Sequence, residues 1–290
     1  MNIAILSRGE KLYSTQSLLK AGEARNHVME VLDPDHCELS VEEGKPVLKF
    51  QGELVDDLHA VIPRIGASNT YFGSALVRHF EAMKVFTVVT ADAIVQSRDK
   101  WTSFQILSQA GIPTPKTVLV HPINFEDQLK SFEGKPIIIK LLEGTHGQGV
   151  ILAETYQNAL ATIETLHAAG VKFLLQEYIA ESMGADIRAI VVDGVVVAAM
   201  KRQCKAGDFR SNLHRGGSSQ EITLSSDEQT IALKTAKSLR LGVCGVDILQ
   251  SERGPLVLEI NSTPGLEGIE TATGKNISKS IIGYIERNKR

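Results

Sequence analysis

Asp247, Glu259 and Asn261 are three oxygen-bearing side chains within one apolar stretch of the chain. The apolar runs around them predict two short strands joined by a Ser-Glu-Arg-Gly-Pro turn. A hairpin centred on Arg253 places Asp247 opposite Glu259, and Asn261 shares the face of Glu259 because side chains alternate along a strand. Two carboxylates and an amide, with neither Cys nor His among them, favour Mg²⁺ or Mn²⁺. The stretch therefore predicts a divalent-cation site, and a surface hairpin with solvated acids is the alternative.

Lys140 lies inside a predicted apolar strand, residues 136–142, where a lysine is costly to bury without an anionic partner. The loop that follows contains Gly144, Gly147 and Gly149, and glycines allow backbone N–H groups to approach a phosphate. The lysine precedes the loop, so the Walker pattern does not fit, and no kinase H-R-D or D-F-G follows. The pattern predicts a nucleotide phosphate site, with a ligand-free glycine-rich hairpin loop as the alternative.

A basic segment follows a hairpin that the pair Asp193-Gly194 predicts. Its cationic and titratable side chains are Lys201, Arg202, Lys205, Arg210, His214 and Arg215. Only Asp208 opposes them, in a chain whose net charge is −3. This local excess predicts a polyanionic ligand, a triphosphate or an acidic substrate. A solvated charged loop is the alternative.

Three further side chains stand where a ligand can be met. Lys100 belongs to a charged band in a predicted helix, residues 91–111, and can reach a phosphate or simply face solvent. Arg64 follows a predicted strand at the end where open α/β sheets bind ligands, although a surface arginine near a turn fits equally. Glu177 lies in a predicted strand, residues 173–179, whose backbone can hold an adenine while the carboxylate binds a ribose hydroxyl.

The elements that must position these residues begin with alternating short strands and helices. The predicted strands are residues 3–6, 27–32, 60–65 and 85–89, and the predicted helices are residues 14–26 and 74–83. Ser14 is the expected N-cap of the first helix. Such alternation predicts a small doubly wound parallel-sheet domain over residues 1–95. No G-x-G-x-x-G follows the first strand, so a dinucleotide site is not supported there.

The remaining chain divides into two further lobes, and the fold class is α/β with α+β lobes. A central lobe over residues 96–175 contains the glycine-rich loop, and a C-terminal lobe over residues 176–290 contains the predicted metal site. A helix over residues 226–239 is capped at Ser225 or Ser226, with Glu228 placed for a capping box.

Composition restricts the class of protein. The chain has 290 residues, 43% hydrophobic and 22% charged, as expected of an ordinary globular protein. A net charge of −3 argues against a general nucleic-acid-coating role. Three widely spaced cysteines without CxxC spacing indicate reduced thiols in the cytoplasm. We expect no signal peptide, membrane span or direct nucleic-acid contact.

The order of these motifs resembles the ATP-grasp ligases, and within them the RimK-like ribosomal-protein glutamate ligases. A strand lysine, a glycine loop, a glutamate strand, a basic loop and an Asp…Glu-x-Asn hairpin follow one another along the chain. The segments that carry the resemblance include Val61-Ile-Pro-Arg-Ile-Gly, Arg98-Asp-Lys, Lys140-Leu-Leu-Glu-Gly-Thr-His-Gly-Gln-Gly-Val, Gln176-Glu-Tyr-Ile and Val257-Leu-Glu-Ile-Asn-Ser-Thr-Pro-Gly. The resemblance covers essentially the whole chain and implies an ATP-grasp fold after the N-terminal domain.

The resemblance implies an ATP-dependent carboxylate–amine ligase. ATP would phosphorylate a carboxylate to an acylphosphate, and the amine of L-glutamate would attack it, leaving an amide, ADP and phosphate. Such enzymes add glutamates to the C-terminus of the sixth small-subunit ribosomal protein and can make short α-linked polyglutamate. A homotetramer is the family expectation. The alternatives are a ligase for another amino acid or a carrier protein, and an ATP-binding regulator without ligase activity.

The resemblance also implies a role for each site residue. The nucleotide-binding residues would be Lys100, Lys140, Gly144, Gly147, Gly149, Glu177, Tyr178, Asp186, Arg210, Ser211 and Asn212. Two divalent ions would be held by Asp247, Glu259 and Asn261, with Glu259 bridging them. Some relatives carry an arginine just before the metal aspartate, where this chain has Gly245-Val246. The arginine that stabilises the acylphosphate is then one of Arg202, Arg210 and Arg215.

Overall fold

The computed structural model of the chain describes residues 1–121, 123–142, 149–205, 211 and 216–289. Five predicted site residues lie outside this part: Gly144, Gly147, Arg210, Asn212 and Arg215. Within the described residues the strands form four sheets. No helix in this part is long and apolar enough to span a membrane.

The N-terminal part of the chain is a parallel sheet with helices packed on it. Its elements are β1 (Asn2–Leu6), α1 (Tyr13–Glu23), β2 (Val28–Leu32), β3 (Cys37–Glu42), β4 (Lys45–Phe50), β5 (Glu53–Leu54), β6 (Ala60–Pro63), α2 (Thr70–Ala82), β7 (Phe86–Thr87) and α3 (Ala91–Arg98). The sheet order is β2-β1-β6-β7, and each neighbouring pair is parallel. Strand β2 lies on one side of β1, and β6 and β7 lie on the other. This arrangement confirms the predicted doubly wound domain.

Strands β3, β4 and β5 were not predicted and form a small antiparallel sheet of their own. The turn between β3 and β4 is Glu43-Gly44, and both residues have positive φ, 49° and 76°. A two-residue turn of this kind matches the twist of a hairpin. Most of the side chains in β3 and β5 are exposed or half-buried, so the apolar pattern that reveals a strand is weak here.

The central part is an antiparallel sheet flanked by helices. Its elements are α4 (Lys100–Gln109), β8 (Thr117–Leu119), α5 (Phe125–Lys130), β9 (Ile137–Leu141), β10 (Val150–Ala153), α6 (Tyr156–Ala168) and β11 (Phe173–Glu177). The sheet order is β10-β9-β11-β8. Its buried apolar residues form a cluster separate from the one that fills the rest of the molecule.

The single helix predicted over residues 91–111 is wrong, because α3 and α4 are separate helices. Asp99 lies between them in an extended conformation, φ −75° and ψ 103°, and its Oδ1 accepts from the N–H groups of Trp101 and Thr102, each at 2.9 Å. A side-chain acceptor at an N-cap satisfies N–H groups that otherwise lack an intrahelical partner. The break makes Lys100 the first residue of α4.

The C-terminal part is an antiparallel sheet whose strands supply the predicted metal ligands. Its elements are β12 (Ala185–Val192), β13 (Val195–Gln203), β14 (Ser218–Glu221), α7 (Ser226–Ser238), β15 (Val243–Ser251), β16 (Gly254–Asn261), α8 (Glu267–Thr273) and α9 (Ile277–Asn288). The sheet order is β14-β13-β12-β15-β16. The hairpin at Asp193-Gly194 and the capping box of Ser225 and Glu228 are both confirmed. Buried apolar residues run continuously from this sheet into the N-terminal one.

Candidate active site

Asp247 and Glu259 face each other across β15 and β16, as predicted, but the hairpin reaches this register by another route. Ser251 pairs with Gly254, so the turn is a tight one. Continued regularly, that ladder would bring Leu258 opposite Asp247. A bulge next to Asp247 leaves Leu258 without a partner, and the pairing resumes with Glu259. Bulges of this kind re-aim side chains, and here one places two carboxylates side by side.

Two arginines hold Asp247 in place. Arg188 lies opposite Asp247 on β12 and donates twice to it, from Nε to Oδ1 at 2.7 Å and from Nη2 to Oδ2 at 2.6 Å. Arg202 also donates from Nη2 to Oδ2, at 2.9 Å. Burial alone would raise the pKa of the Asp247 carboxyl, but the two guanidinium groups outweigh burial and lower this pKa to about 2. The carboxylate therefore stays charged at any physiological pH.

Asp186, which lies two residues before Arg188 on β12, completes this network. It lies opposite Arg202 on β13, whose Nε donates to Asp186 Oδ1 at 2.6 Å. The side chains of Asp186 and Arg202 are almost completely buried, with 4% and 5% exposed. The two carboxylates keep the pKa of Arg202 above its ordinary value, although burial opposes them. Asp186 and Arg188 are two residues apart on β12, so their side chains share one face of the sheet. Asp247 lies opposite Arg188 on β15, and the guanidinium group of Arg202 contacts both aspartates.

The donor set around Asp247 fits a small divalent cation. Glu259 is exposed, and the amide of Asn261 is half-buried, with its Nδ2 atom lacking a partner among the described atoms. The described residues contain no cluster of three or more His, Cys, Asp or Glu side chains that could hold an ion. Two carboxylates and an amide oxygen suit Mg²⁺ or Mn²⁺, which are commonly held by few protein ligands plus substrate phosphates. An ion bound here would take its remaining ligands from water or from substrate phosphates.

Lys140 stands on another sheet, in β9, between Val150 of β10 and Leu174 of β11. Burial lowers the pKa of its ammonium group to about 8, and the nearby Lys100 also lowers it, although Glu259 acts in the opposite direction. No ion pair of Lys140 within 4 Å is present in the part of the chain that the structure describes. A half-buried lysine of this kind gains most from an anionic ligand.

The glycine loop begins and ends beside this lysine. Lys100 donates from Nζ to the carbonyl of Leu142 at 3.1 Å, just before the loop. Gly149, just after it, has a positive φ of 75°, and a Cβ atom there would lie 2.9 Å from the side chain of Leu141. Only glycine fits this position without a shift of Leu141. The bond from Lys100 connects α4 to the residue that follows the strand of Lys140. Lys100 is therefore not the freely solvated lysine that was the alternative.

Glu177 lies at the end of β11 and accepts from the N–H of Lys116 at 2.8 Å. It is also ion-paired with Arg253, from the turn of the metal-ligand hairpin. Tyr178 follows it, and its N–H donates to the carbonyl of Pro136 at 3.3 Å. The ion pair with Arg253 joins the central sheet to the C-terminal one at the position predicted for a nucleoside.

One cleft of about 1440 Å³ contains these groups. Many of the predicted site residues line it, namely Lys100, Lys140, Glu177, Tyr178, Asp186, Arg202, Ser211, Asp247, Glu259 and Asn261. Pockets for one small ligand are usually about 300–1,000 Å³, so this cleft has room for a nucleotide and a second substrate. Arg64, from the N-terminal sheet, also lines the cleft.

Comparison with known families covers the chain almost from end to end. Residues 97–285 match the RimK-like ATP-grasp domain, and residues 1–94 match the RimK PreATP-grasp domain. The chain belongs to the RimK-like ATP-grasp family. It is accordingly an ATP-dependent carboxylate–amine ligase.

Individual RimK-like relatives agree over the same length. The chain is 51% identical over 291 aligned residues to a "probable alpha-L-glutamate ligase" of Vibrio parahaemolyticus, covering 100% of this chain and 97% of the relative. A protein of the same description from Vibrio vulnificus is 50% identical, with the same coverage. Among solved structures, the ATP-grasp ligase PsnB, complexed with a phosphomimetic variant of its minimal precursor, Mg and ADP, has a TM-score of 0.77 at 19% identity. That alignment covers 100% of this chain and 98% of the PsnB chain, and it shows the shared fold.

Sequence reasoning missed the arginine of this ATP-grasp cleft that lies opposite Asp247. Arg188 has 18% of its side chain exposed and lines the cleft beside Asp247. The signal was present, because Asp186 and Arg188 stand two residues apart in a strand and so share a face. The strand reads as a buried apolar run, and the partner strand that defines its polar face lies far away in sequence.

Proposed function

We propose that the chain joins L-glutamate to a carboxylate that ATP has first converted to an acylphosphate. The proposal is carried by one observation: the oxygen-ligand hairpin and Lys140, which has no ion pair with any described residue, line the same cleft. The glutamate ligases that are about half identical to this chain support glutamate as the amine. PsnB, whose 19% identity supports the fold alone, was solved with Mg and ADP, which makes those ligands the first to test.

We propose that Lys140, Lys100 and Gly149 bind the ATP phosphates. Two Mg²⁺ or Mn²⁺ ions would be held by Asp247, Glu259 and Asn261, and they would neutralise charge on the transferred phosphoryl group. Glu259 would be the ligand shared between the ions, because it is exposed to the cleft and offers two oxygens, whereas the Asn261 amide would serve one ion. Asp247, already held by arginines, keeps a fixed position for its ion.

The nucleoside is assigned to the end of β11. Glu177 would bind a ribose hydroxyl, with Tyr178, Asp186 and Ser211 on the same cleft wall. The further nucleotide contacts expected from the family pattern are Gly144, Gly147, Arg210 and Asn212, which lie outside the described residues.

Formation of the acylphosphate brings an anionic carboxylate against the anionic γ-phosphoryl group of ATP, so cationic side chains are needed to neutralise the charge. Arg202 was one candidate, and Arg188 is the new one. Arg188 is the more accessible, with 18% of its side chain exposed against 5% for Arg202. We assign the direct contact to Arg188 and the fixing of Asp186 and Asp247 to Arg202. Arg210 and Arg215 remain candidates outside the described residues.

The reaction needs no covalent intermediate on the protein. A carboxylate oxygen attacks the γ-phosphorus and ADP leaves; the glutamate amine then attacks the acyl carbon, phosphate leaves, and the amine loses a proton. The residues named above position and neutralise anions, which is the main requirement of phosphoryl transfer.

The finer assignment is the acceptor. We propose that the acceptor is the C-terminus of the sixth small-subunit ribosomal protein and that short polyglutamate is a second product. We also propose that the ligase acts in the cytoplasm as a homotetramer. The three cysteines, Cys37, Cys204 and Cys244, are free thiols, in keeping with a reducing compartment. We further propose that residues 1–95, 96–175 and 176–290 are the three structural divisions.

The test is ADP release by the purified chain with ATP, Mg²⁺ and an acidic acceptor peptide, repeated with each of the twenty amino acids. We expect turnover with glutamate and a peptide heavier by glutamate residues in the mass spectrum. A peptide with an amidated C-terminus is the control and should remain unchanged. Turnover with a different amino acid would favour another ligase specificity, and nucleotide binding without any turnover would favour a regulator.

A further inference from the structure

The N-terminal sheet opens a crevice toward the cleft, between the ends of β1 and β6. The chain runs from β1 to β2 on one side and later to β6 on the other, so the order of strands reverses between β1 and β6. Open α/β sheets bind ligands at this point, outside the carboxyl ends of the strands. Arg64 follows β6 directly, and its backbone N–H donates to the carbonyl of Leu6 at the end of β1.

Arg64 is a half-buried cation that has no counter-ion among the described residues. Its Nη1 donates to the carbonyl of Pro264 at 2.8 Å, and no carboxylate in the described part of the chain lies within 4 Å of it. Burial lowers the pKa of this guanidinium group to about 10. A guanidinium group carries five N–H donors, so most of its binding capacity remains for a ligand.

The neighbouring Arg98 provides an internal comparison. It donates to the carbonyl of Gly66 at 3.3 Å, to Oγ1 of Thr70 at 2.9 Å and to Oγ1 of Thr263 at 3.3 Å. These bonds tie the loop after β6 to the loop that follows β16. Arg98 therefore has a structural use for its donors, whereas the guanidinium group of Arg64 makes one bond within the described part of the chain, to Pro264.

The start of α1 adds to the positive character of the crevice. The N-cap of α1 is Leu12, which makes no side-chain cap bond. Ser14, the predicted cap, instead accepts from the N–H of Leu266 at 3.1 Å. The first N–H groups of a helix favour an anion, and Tyr13 and Ser14 line the same cleft as Arg64.

The acidic side chains of α8 do not neutralise Arg64. Glu270 accepts from the N–H of Ile277 at 2.8 Å and from Ser17 Oγ at 3.0 Å, which fixes it at the start of α9. Glu267 is exposed on the cleft and forms no ion pair with Arg64. An anion from solution is thus the partner that the crevice lacks.

We propose that Arg64, together with the N-terminus of α1, binds a substrate carboxylate that does not itself react. The inference rests on the proposed ligase function and adds a recognition subsite to it. Arg64 bonds to Pro264, only three residues beyond Asn261, so this subsite adjoins the predicted metal site. Glutamate carries two carboxylates, and an acidic acceptor peptide carries side-chain carboxylates near its reacting end, so one chemistry has two sources.

A cycle of enzyme variants and substrate analogues separates these sources. Wild type and Arg64→Met are compared with glutamate, glutamine, glutamate α-amide, and an acceptor peptide whose acidic side chains are neutral. In wild type, losing the recognised carboxylate should raise KM about 10- to 100-fold, the range of a charge-assisted hydrogen bond. In Arg64→Met that same loss should cost almost nothing, because the variant no longer recognises the group. The analogue whose penalty disappears identifies the carboxylate.

Three controls keep the result specific. Arg78→Met removes an exposed arginine that pairs with Asp92 and should behave as wild type. Arg64→Lys should recover part of the KM, since it keeps the charge but not the planar fork. ADP affinity and the melting temperature of Arg64→Met should stay close to wild type. If each analogue keeps its wild-type penalty in Arg64→Met, the subsite is overturned; if wild type shows no glutamate-dependent turnover, the proposed function fails instead.

Discussion

The cations that line the cleft fall into two groups, those with a carboxylate partner and those without one among the described residues. On the C-terminal sheet, Arg188 and Arg202 are matched with Asp247 and Asp186 by cross-strand pairing. On the other walls, Lys140 and Arg64 have no carboxylate partner among the described residues. The pKa values follow this difference, since that of Arg202 is raised while those of Lys140 and Arg64 are lowered.

The difference separates side chains that fix geometry from side chains that await a ligand. A buried ion pair is poor evidence of net stabilisation, but removing one partner leaves an uncompensated charge and is costly. A buried cation without a partner already carries its desolvation penalty, which a bound anion relieves. We therefore expect changes in the paired group to affect folding as well as activity, and changes in the other group to affect binding with little effect on folding.

The largest expected effect comes from Asp247→Ala compared with Glu259→Ala. Both variants should lose at least about 10³-fold in ADP formation, because each removes a predicted metal ligand. Asp247→Ala should also lose about 3–5 kcal/mol of unfolding free energy, since it leaves Arg188 without its described carboxylate partner and removes one of the two carboxylates that hold Arg202. Glu259 is exposed and makes no described ion pair, so Glu259→Ala should stay within about 0.5 kcal/mol of wild type.

Urea denaturation of both variants, read by far-UV circular dichroism, measures this contrast. Asp247→Asn is the matched control, because it keeps the shape of the side chain and can accept from one arginine. Equal stability of the two alanine variants would contradict the assignment of Asp247 to the paired group. Normal turnover by folded Glu259→Ala protein would contradict the two-metal assignment.

The second prediction concerns Lys140→Met, a change in the unpaired group. ADP affinity should fall about 10- to 100-fold, as expected for a lost charge-assisted bond to phosphate, while the fold keeps its stability. Isothermal titration calorimetry measures the affinity, and Lys135→Met, an exposed lysine on the same lobe, is the control. A clear loss of stability in Lys140→Met would place this lysine with the structural cations.

The pH dependence of the same pair of proteins gives a signed test. The Lys140 ammonium has a pKa of about 8 in the folded chain and an ordinary value of 10.5 when unfolded. Between these values the unfolded chain binds more protons, so the contribution of Lys140 to stability rises with pH. The stability of wild type minus that of Lys140→Met should therefore increase from pH 8 to pH 10. Wild-type ADP affinity should fall over the same interval, since the neutral amine binds phosphate poorly.

Much of the fold was predictable because its signals are local. The Asp193-Gly194 turn, the capping box at Ser225 and the alternation of strands and helices each depend on neighbours in sequence. The break at Asp99 was missed because a cap competes with a continuing helical pattern, and only the folded environment decides between them. Strands β3 to β5 were missed because little of their surface is buried.

The site was predictable in its residue types but not in its pairing. The placement of Asp247 opposite Glu259 was correct, yet it depends on a bulge at Leu258 that no sequence pattern announced. Which cation meets which anion depends on strand order, which is not local. Arg188 therefore went unnoticed inside an apolar strand, and the unpaired state of Arg64 was visible only once its surroundings were known.

The smallest expected effect comes from an ion pair away from the cleft, and it calibrates the comparison. Glu286 of α9 pairs with Arg25, mainly through a hydrogen bond that lowers the pKa of this carboxyl to about 2, and it also contacts His27 at 2.8 Å. Because the pair is substantially exposed, Glu286→Gln should lower Tm by at most about 3 °C at pH 7.

A depressed carboxyl pKa stabilises the fold above its ordinary value of 4.5, and this contribution is lost as pH falls toward 2. Thermal melts of wild type and Glu286→Gln should therefore draw together as pH falls from 4.5 and should meet only near pH 2. They should also converge at 1 M salt, where the Debye length is about 3 Å, whereas the cost of Asp247→Ala should survive because the Asp247 network is shielded from solvent ions. A salt-sensitive Asp247 effect would mean that both ion pairs are solvated alike, and the distinction between the two groups of cations would then fail.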